Sequence, residues 1–144
     1  MTFTLFAAQA PVTVNNFVFL ARNHFYDGLV FHRIVPDFVL QTGDPTEVGD
    51  GGPGYTVPDE LPAAGRYRVG SLAMASAGPS TGGSQFFIIS GPEGAALEPS
   101  YSLFGQITSG LSVVRTIDDA GAPDPDPPTE RITITSVTIT ETKA

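Results

Sequence analysis

The sequence contains no cysteine and no tryptophan, and it has few positive charges. The absence of cysteine excludes disulfides, thiol nucleophiles and Cys metal sites, but it does not fix a cellular compartment. Lys and Arg number 7 against 15 Asp and Glu, which gives a net charge of −8, and the basic residues are scattered along the chain. Nucleic acids and anionic membranes bind clustered basic surfaces, so we expect neither as a partner.

Long apolar runs are also lacking. No stretch approaches the roughly 18 apolar residues that a bilayer-spanning helix needs, and the N-terminus has no signal-peptide pattern. We therefore expect a cytoplasmic protein, although a fragment of an exported or membrane-anchored parent would have the same sequence features. The 144 residues fit a single domain over residues 1–144, and an apolar content of 41% is enough for a core.

The hydrophobic pattern predicts short strands and two helices. Apolar residues at helical spacing indicate a helix over residues 11–23 and a second one around Leu111–Ile117. Strands are predicted over residues 2–6, 29–35, 38–42, 69–75, 84–90, 101–107 and 131–141. The alternation in the last strand skips a residue near Thr135, which predicts a β-bulge. With 16 Gly and 13 Pro for turns, this pattern favours an antiparallel barrel or sandwich with two helices.

Common catalytic and cofactor motifs are missing. The glycine-rich run at residues 49–54 lacks the G-K-[ST] ending of a phosphate loop, and G-x-S-x-G is absent. His24 and His32 do not have metal-ligand spacing, and Asp124 and Asp126 lack the spacing of a calcium loop. We expect no metal and no cofactor, and the two aspartates are interpreted as solvated surface.

One informative stretch is FHRIVPDFVLQTGD, residues 31–44. If Pro36–Phe38 forms a hairpin turn, Val35 faces Val39 and Arg33 faces Gln41 on one side of the sheet. A guanidinium stays charged, so Arg33 must reach solvent or a partner, and the amide oxygen of Gln41 can hold it. A purely structural Arg–Gln pair at a strand edge is the alternative.

A second informative stretch is MASAGPSTGGSQFF, residues 74–87. In a strand, Gln85, Phe87 and Ile89 share one face, and Phe86 and Ile88 share the other. A glutamine beside a phenylalanine on one face is typical of an apolar pocket with a polar group at its wall. The alternative is a core strand with Gln85 at its frayed start.

The two stretches together resemble the cyclophilin family of prolyl isomerases, through F-H-R-I-x-P-x-F-x-x-Q-x-G-D and M-A-x-A-G-P-x-T-x-G-S-Q-F-F. Residues 11–17 are similar to that family's first helix and Phe104-Gly105 to a later strand. The resemblance implies a closed, eight-stranded antiparallel barrel capped by two helices, with the site in an outer groove. The strand that normally precedes Thr2 is missing. We therefore expect an open edge at residues 2–6, covered by the C-terminal strand or by an upstream segment.

The resemblance also implies roles for individual residues. Arg33 is the catalytic arginine and Gln41 its orienting partner. The residues implied for the proline-ring pocket are Phe38, Val39, Phe87 and Leu97. Peptide contacts are implied for Ala75, Ser76 and Gln85, and a neighbouring pocket for Gly49, Thr81 and Gly82. Tyr101 falls where many members carry His, Val39 where Met is common, and Ser76 where Asn is common.

The implied activity is cis/trans isomerisation of X–Pro bonds in peptides and unfolded proteins, without a cofactor and by a monomer. Weak binding of cyclosporin is also implied, since Ala96 falls where many members carry Trp. Two alternatives remain at this point. One is a non-catalytic module that binds proline peptides on the same fold. The other is a barrel that carries a small ligand in its lumen, which the many bulky apolar residues disfavour.

Overall fold

The computed structural model describes residues 1–143, which form six strands and three helices. The strands are β1 (Thr2–Leu5), β2 (Arg33–Val35), β3 (Val39–Thr42), β4 (Ser71–Met74), β5 (Phe86–Ile89) and β6 (Leu103–Ser109). The helices are α1 (Pro11–Arg22), α2 (Pro92–Ala95) and α3 (Leu111–Asp118). Both predicted helices are confirmed, whereas the short α2 lies in a segment predicted to be a loop. Within residues 1–143, no helix has the length and apolar character to cross a membrane.

The six strands form one antiparallel sheet in the order β1-β6-β4-β5-β3-β2. Strands β1 and β2 are its two edges, so the sheet is not closed. The predicted closed eight-stranded barrel is therefore wrong for residues 1–143. Of the seven strands that the pattern predicted, residues 131–141 form no ladder, and the strand predicted over residues 29–35 is shortened to β2.

The C-terminal segment lies against the sheet without joining it. It touches residues 29–31 through an isolated bridge between Val30 and Thr133 and a hydrogen bond from the Phe31 N–H to the Ile132 carbonyl. The apolar side chains of this segment are half-buried against the core, at Ile132, Ile134, Val137 and Ile139. The alternation of half-buried and exposed side chains skips a residue near Thr135, as predicted. Because the segment forms no ladder, this skip is not a β-bulge. Within residues 1–143 the segment forms no ladder with β1, which pairs only with β6.

Each strand divides its side chains between two faces of the sheet. On the face covered by α1 and α3, Phe17, Tyr26, Phe86 and Phe104 form an aromatic cluster with ring centroids 5.2–6.3 Å apart. The opposite face carries a smaller cluster of buried residues: Val39, Tyr67, Ala73, Phe87, Ile89 and Leu103. The predicted separation of Phe86 from Phe87 is confirmed. The second face is the one on which the predicted site residues lie.

Candidate active site

The β2–β3 hairpin positions the two central site residues. Arg33 is paired with Gln41 and Val35 with Val39, as the sequence predicted. The turn places Asp37 at φ 59°, which lets β3 return beside β2. Because paired residues project to the same face, the Arg33 Nη1 donates a hydrogen bond to the Gln41 Oε1 at 3.2 Å.

The Arg33 guanidinium has two further neighbours. Its Nε and Nη2 donate to the two carboxylate oxygens of Asp124 at 3.3 and 3.0 Å, and its Cζ lies 5.7 Å from the centroid of the Phe38 ring. The hydrogen bond from Arg33 lowers the pKa of Asp124. Asp124 is exposed, as predicted for a solvated surface, but the sequence did not show that its carboxylate pairs with the arginine of the site.

A cavity of about 150 Å³ lies beside the guanidinium. It is lined by nine residues, all of them predicted for the site: Arg33, Phe38, Val39, Gln41, Ala75, Ser76, Phe87, Leu97 and Tyr101. Six of the nine lining side chains are aliphatic or aromatic, and Arg33, Gln41 and Ser76 contribute polar atoms. An apolar cavity with a few converging polar groups is typical of a small-ligand site.

Tyr101 is fixed in this wall by a residue that the sequence did not single out. Its ring meets Phe87 edge to face, with centroids 5.3 Å apart at 86°. The Tyr67 hydroxyl donates to the Tyr101 carbonyl at 2.6 Å and accepts from the Tyr101 N–H at 3.1 Å. Burial raises the pKa of Tyr67, so this brace keeps its proton. No local motif marks Tyr67, which lies in a stretch without periodicity.

Gln85 links the hairpin to the glycine-rich loop. The Gln41 Nε2 donates to the Gln85 Oε1 at 2.9 Å, and the Gln85 Nε2 donates to the carbonyls of Gly49 and Gly51 at 3.0 and 2.9 Å. A continuous series of hydrogen bonds thus runs from Arg33 to the loop. Sequence reasoning placed Gln85 at the site as a peptide contact but missed this linking role.

The loop is organised around Asp44, whose side chain is fully buried. Its carboxylate accepts hydrogen bonds from the Thr46 N–H and hydroxyl, both at 2.8 Å, and from the N–H groups of Gly49 and Gly51. Burial alone would raise the pKa of Asp44, but these hydrogen bonds outweigh it, so the pKa lies below its ordinary value. A Cβ at Gly51 would collide with this carboxylate, so the close approach of the loop to Asp44 requires glycine at this position. Sequence reasoning quoted Asp44 only as the end of a motif.

A second and larger cavity of about 560 Å³ borders the first. Gly49 and Thr81 line it, as predicted for the neighbouring pocket, and so does Gln85, which was predicted as a peptide contact. Gly82 is not among the lining residues, because it is buried behind the wall and its carbonyl accepts the Val57 N–H at 2.8 Å. Asp50 is the one charged residue among those that line this cavity.

His32 precedes Arg33 in the sequence and points away from solvent. Neither of its buried ring nitrogens has a hydrogen-bond partner within residues 1–143. Burial lowers the pKa of His32, with opposing effects from nearby Asp44 and Arg33, so the ring is neutral at pH 7. Nor do the described residues contain three or more His, Asp or Glu grouped closely enough to hold a metal ion.

Comparison with known proteins identifies this arrangement. The family model described as cyclophilin type peptidyl-prolyl cis-trans isomerase matches residues 1–139. Peptidyl-prolyl cis-trans isomerase B of Bacillus subtilis is 46% identical over 118 residues, which cover 81% of this chain and 82% of that protein. Peptidyl-prolyl cis-trans isomerase-like 1 of Gibberella zeae is 38% identical over 141 residues, which cover 95% and 86%.

Solved structures agree with the sequence relatives. A crystal structure of a Cryptosporidium parvum cyclophilin type isomerase, obtained in the presence of the dipeptide Ala-Pro, superposes with a TM-score of 0.87 at 34% identity. That match covers 97% of this chain and 92% of the other. The fold is thus mainly β and cyclophilin-like, and the chain belongs to the family of cyclophilin-type peptidyl-prolyl cis-trans isomerases.

Proposed function

We propose that Arg33 catalyses X–Pro isomerisation by stabilising the twisted amide, with no covalent intermediate and no proton transfer. The observation that carries this mechanism is a guanidinium that lines the small cavity and is held there by Gln41 and Asp124. A guanidinium has five N–H donors. Asp124 accepts from two of them and Gln41 from one, so two remain for a substrate.

The chemistry follows from the amide bond. Rotation has a barrier of about 18–20 kcal/mol because resonance between nitrogen and carbonyl is lost on twisting. In the twisted form the prolyl nitrogen regains a basic lone pair. A donor aimed at that nitrogen binds the twisted form more strongly than the planar one, and each tenfold gain in rate requires about 1.4 kcal/mol of this preference. Arg33 supplies such a donor in a fixed position.

The apolar residues hold the substrate while it rotates. Phe38, Val39, Phe87 and Leu97 receive the proline ring, and Ala75, Ser76 and Gln85 contact the peptide. The larger cavity beside Gly49 and Thr81 accepts side chains that precede the proline. Keeping the ring still holds the prolyl nitrogen beside the donors of Arg33 while the acyl side rotates.

The substrates in this proposal are proline-containing segments of peptides and unfolded proteins. The groove also binds cyclosporin, weakly. Ala96 is exposed beside the cavity and offers neither the indole donor nor the apolar area of a Trp at that position.

Leu97→Ala should separate binding from turnover. Leu97 lines the cavity and makes no hydrogen bond to the reacting nitrogen, so it contributes equally to planar and twisted substrate. We expect KM for an X–Pro peptide to rise about fivefold to tenfold, the effect of losing roughly 1 kcal/mol of apolar contact, with kcat changed by less than about twofold. Initial rates in a protease-coupled assay at several peptide concentrations measure both constants.

Leu61→Ala is the matched control, because Leu61 is half exposed and lies outside both cavities. Equal KM values for the two variants would show that Leu97 does not contribute to the proline pocket.

The rate should be nearly independent of pH between about pH 6 and 8. The proposed step moves no proton, a guanidinium stays charged, and the pKa of the nearby His32 is already lowered by burial. We expect kcat/KM to vary by less than about twofold over this range, and Tyr101→Phe to show the same flat profile. Exchange NMR on an X–Pro peptide measures both profiles, and a bell-shaped curve in this window would contradict a mechanism without acid–base catalysis.

A further inference from the structure

The Arg33–Asp124 ion pair joins the centre of the groove to a distant part of the sequence. Its side-on geometry uses the Nε and one Nη of the guanidinium against both carboxylate oxygens. A bidentate pair fixes the plane of the guanidinium as well as its position, which a single hydrogen bond to Gln41 does not. The orientation of the two remaining donors is therefore set by Asp124.

The loop that carries Asp124 is attached beside the arginine. The N–H of Ala122 donates to the carbonyl of Ile34, the residue after Arg33, at 3.0 Å. The loop closes on itself through the Asp126 N–H to the Pro123 carbonyl at 2.8 Å, and it is tied to the end of α3 through the Thr129 N–H to the Ala120 carbonyl at 2.8 Å. Asp124 is thus presented to Arg33 by backbone contacts that do not depend on the ion pair.

The same region braces the hairpin turn. The Asp118 carboxylate at the end of α3 accepts the Asp37 N–H at 3.2 Å, and Gly121 approaches Pro36 so closely that a Cβ would lie 2.8 Å from its ring. Prolines on both sides of Asp124 fix φ and limit the freedom of the loop. The loop and the hairpin therefore form one unit around the guanidinium.

We infer that Asp124 is a positioning residue for isomerisation, which holds the Arg33 guanidinium in the plane that aims its free donors into the groove. This role rests on the proposed catalytic role of Arg33. Both side chains are partly exposed, at 33% for Arg33 and 52% for Asp124, so the pair contributes little to folding. The pair contributes to the orientation of the Arg33 guanidinium, and its loss should lower kcat.

Asp124→Asn tests this role, since it keeps the size of the side chain and removes its charge and one acceptor. We expect kcat to fall about threefold to tenfold with KM little changed, because a misaligned donor affects the twisted state more than the planar one. Asp124→Glu, which retains a carboxylate able to reach Arg33, should recover most of this loss. In the wild type, the Arg33 Nε–H resonance should be protected from exchange with water, and in Asp124→Asn the protection should be lost.

Asp126→Asn is the matched control, with the same charge change in the same loop and a side chain that is not among the partners of Arg33. If Asp124→Asn and Asp126→Asn have equal kcat, the inference is overturned while the proposed function stands. A higher kcat for Asp124→Asn would also overturn it, by showing that Asp124 competes with substrate for Arg33. Full activity in Arg33→Ala would contradict both the proposed function and this inference.

Discussion

Replacement of Arg33 by Ala should abolish most of the turnover and leave the fold intact. We expect kcat/KM to fall about 100-fold to 1,000-fold, the usual effect of removing one preorganised donor from a developing lone pair or charge. Arg33→Lys should also be poor, because a flexible point charge cannot pair side-on with Asp124 and bond Gln41 at once. Exchange NMR on an X–Pro peptide measures the rate directly.

The melting temperature of Arg33→Ala should stay close to that of the wild type. Arg33 lies at the edge strand β2 and is one-third exposed, and surface ion pairs contribute only about 0–1 kcal/mol. Arg22→Ala is the control, since Arg22 at the end of α1 forms a similar exposed pair with Glu141 at 2.8 Å, outside the hairpin. Near wild-type exchange in a folded Arg33→Ala protein would exclude the proposed mechanism, whereas retained peptide binding without exchange would support it.

Replacement of Asp44 by Ala should have the largest effect on stability. The carboxylate is fully buried and accepts several hydrogen bonds, so its removal breaks the bonds that Thr46, Gly49 and Gly51 donate to it. We expect the free energy of unfolding to fall by about 3–5 kcal/mol, which corresponds to a decrease in Tm of about 10 °C for a domain of this size. Asp50→Ala is the control, because Asp50 lies in the same loop and is exposed.

Asp44 also predicts how stability depends on pH. Its pKa is lower in the folded protein than in the unfolded chain, so the folded state binds fewer protons in acid. The stabilisation is complete above the ordinary carboxyl pKa of about 3.9 and is lost as the pH falls through the lower folded-state value. Urea unfolding of the wild type and of Asp44→Asn at several pH values measures this. Parallel pH dependences for the two proteins would show that Asp44 is not the responsible group.

The features that sequence predicted well depend on local spacing. A turn at Pro36–Phe38 determines that Arg33 meets Gln41, and strict alternation determines that Phe86 and Phe87 face opposite ways. The nine cavity-lining residues were all named in advance because the resemblance fixes them position by position. These residues come together on the second face of the sheet, and the alternation within the strands already indicates which strand residues lie on that face.

The features that sequence missed depend on contacts between distant segments. Asp124 and Arg33 are 91 residues apart, and nothing in the composition of the acidic loop shows that it meets a strand edge. Tyr67 holds Tyr101 across 34 residues in the same way. The error at residues 131–141 has another cause. Alternating half-buried side chains are typical of a strand, but the backbone of this segment bonds only to residues 28–31, which lie outside the sheet.

The hydrogen bonds from Gln85 to the loop end on backbone carbonyls, at Gly49 and Gly51. A backbone carbonyl is present at each position whatever side chain a neighbouring residue carries. Side chains that line this cavity without bonding Gln85, such as Asp50 and Thr56, can therefore be substituted without removing either hydrogen bond. In the proposed mechanism, the larger cavity can therefore accept different residues before the proline while Arg33 and Gln41 keep their positions.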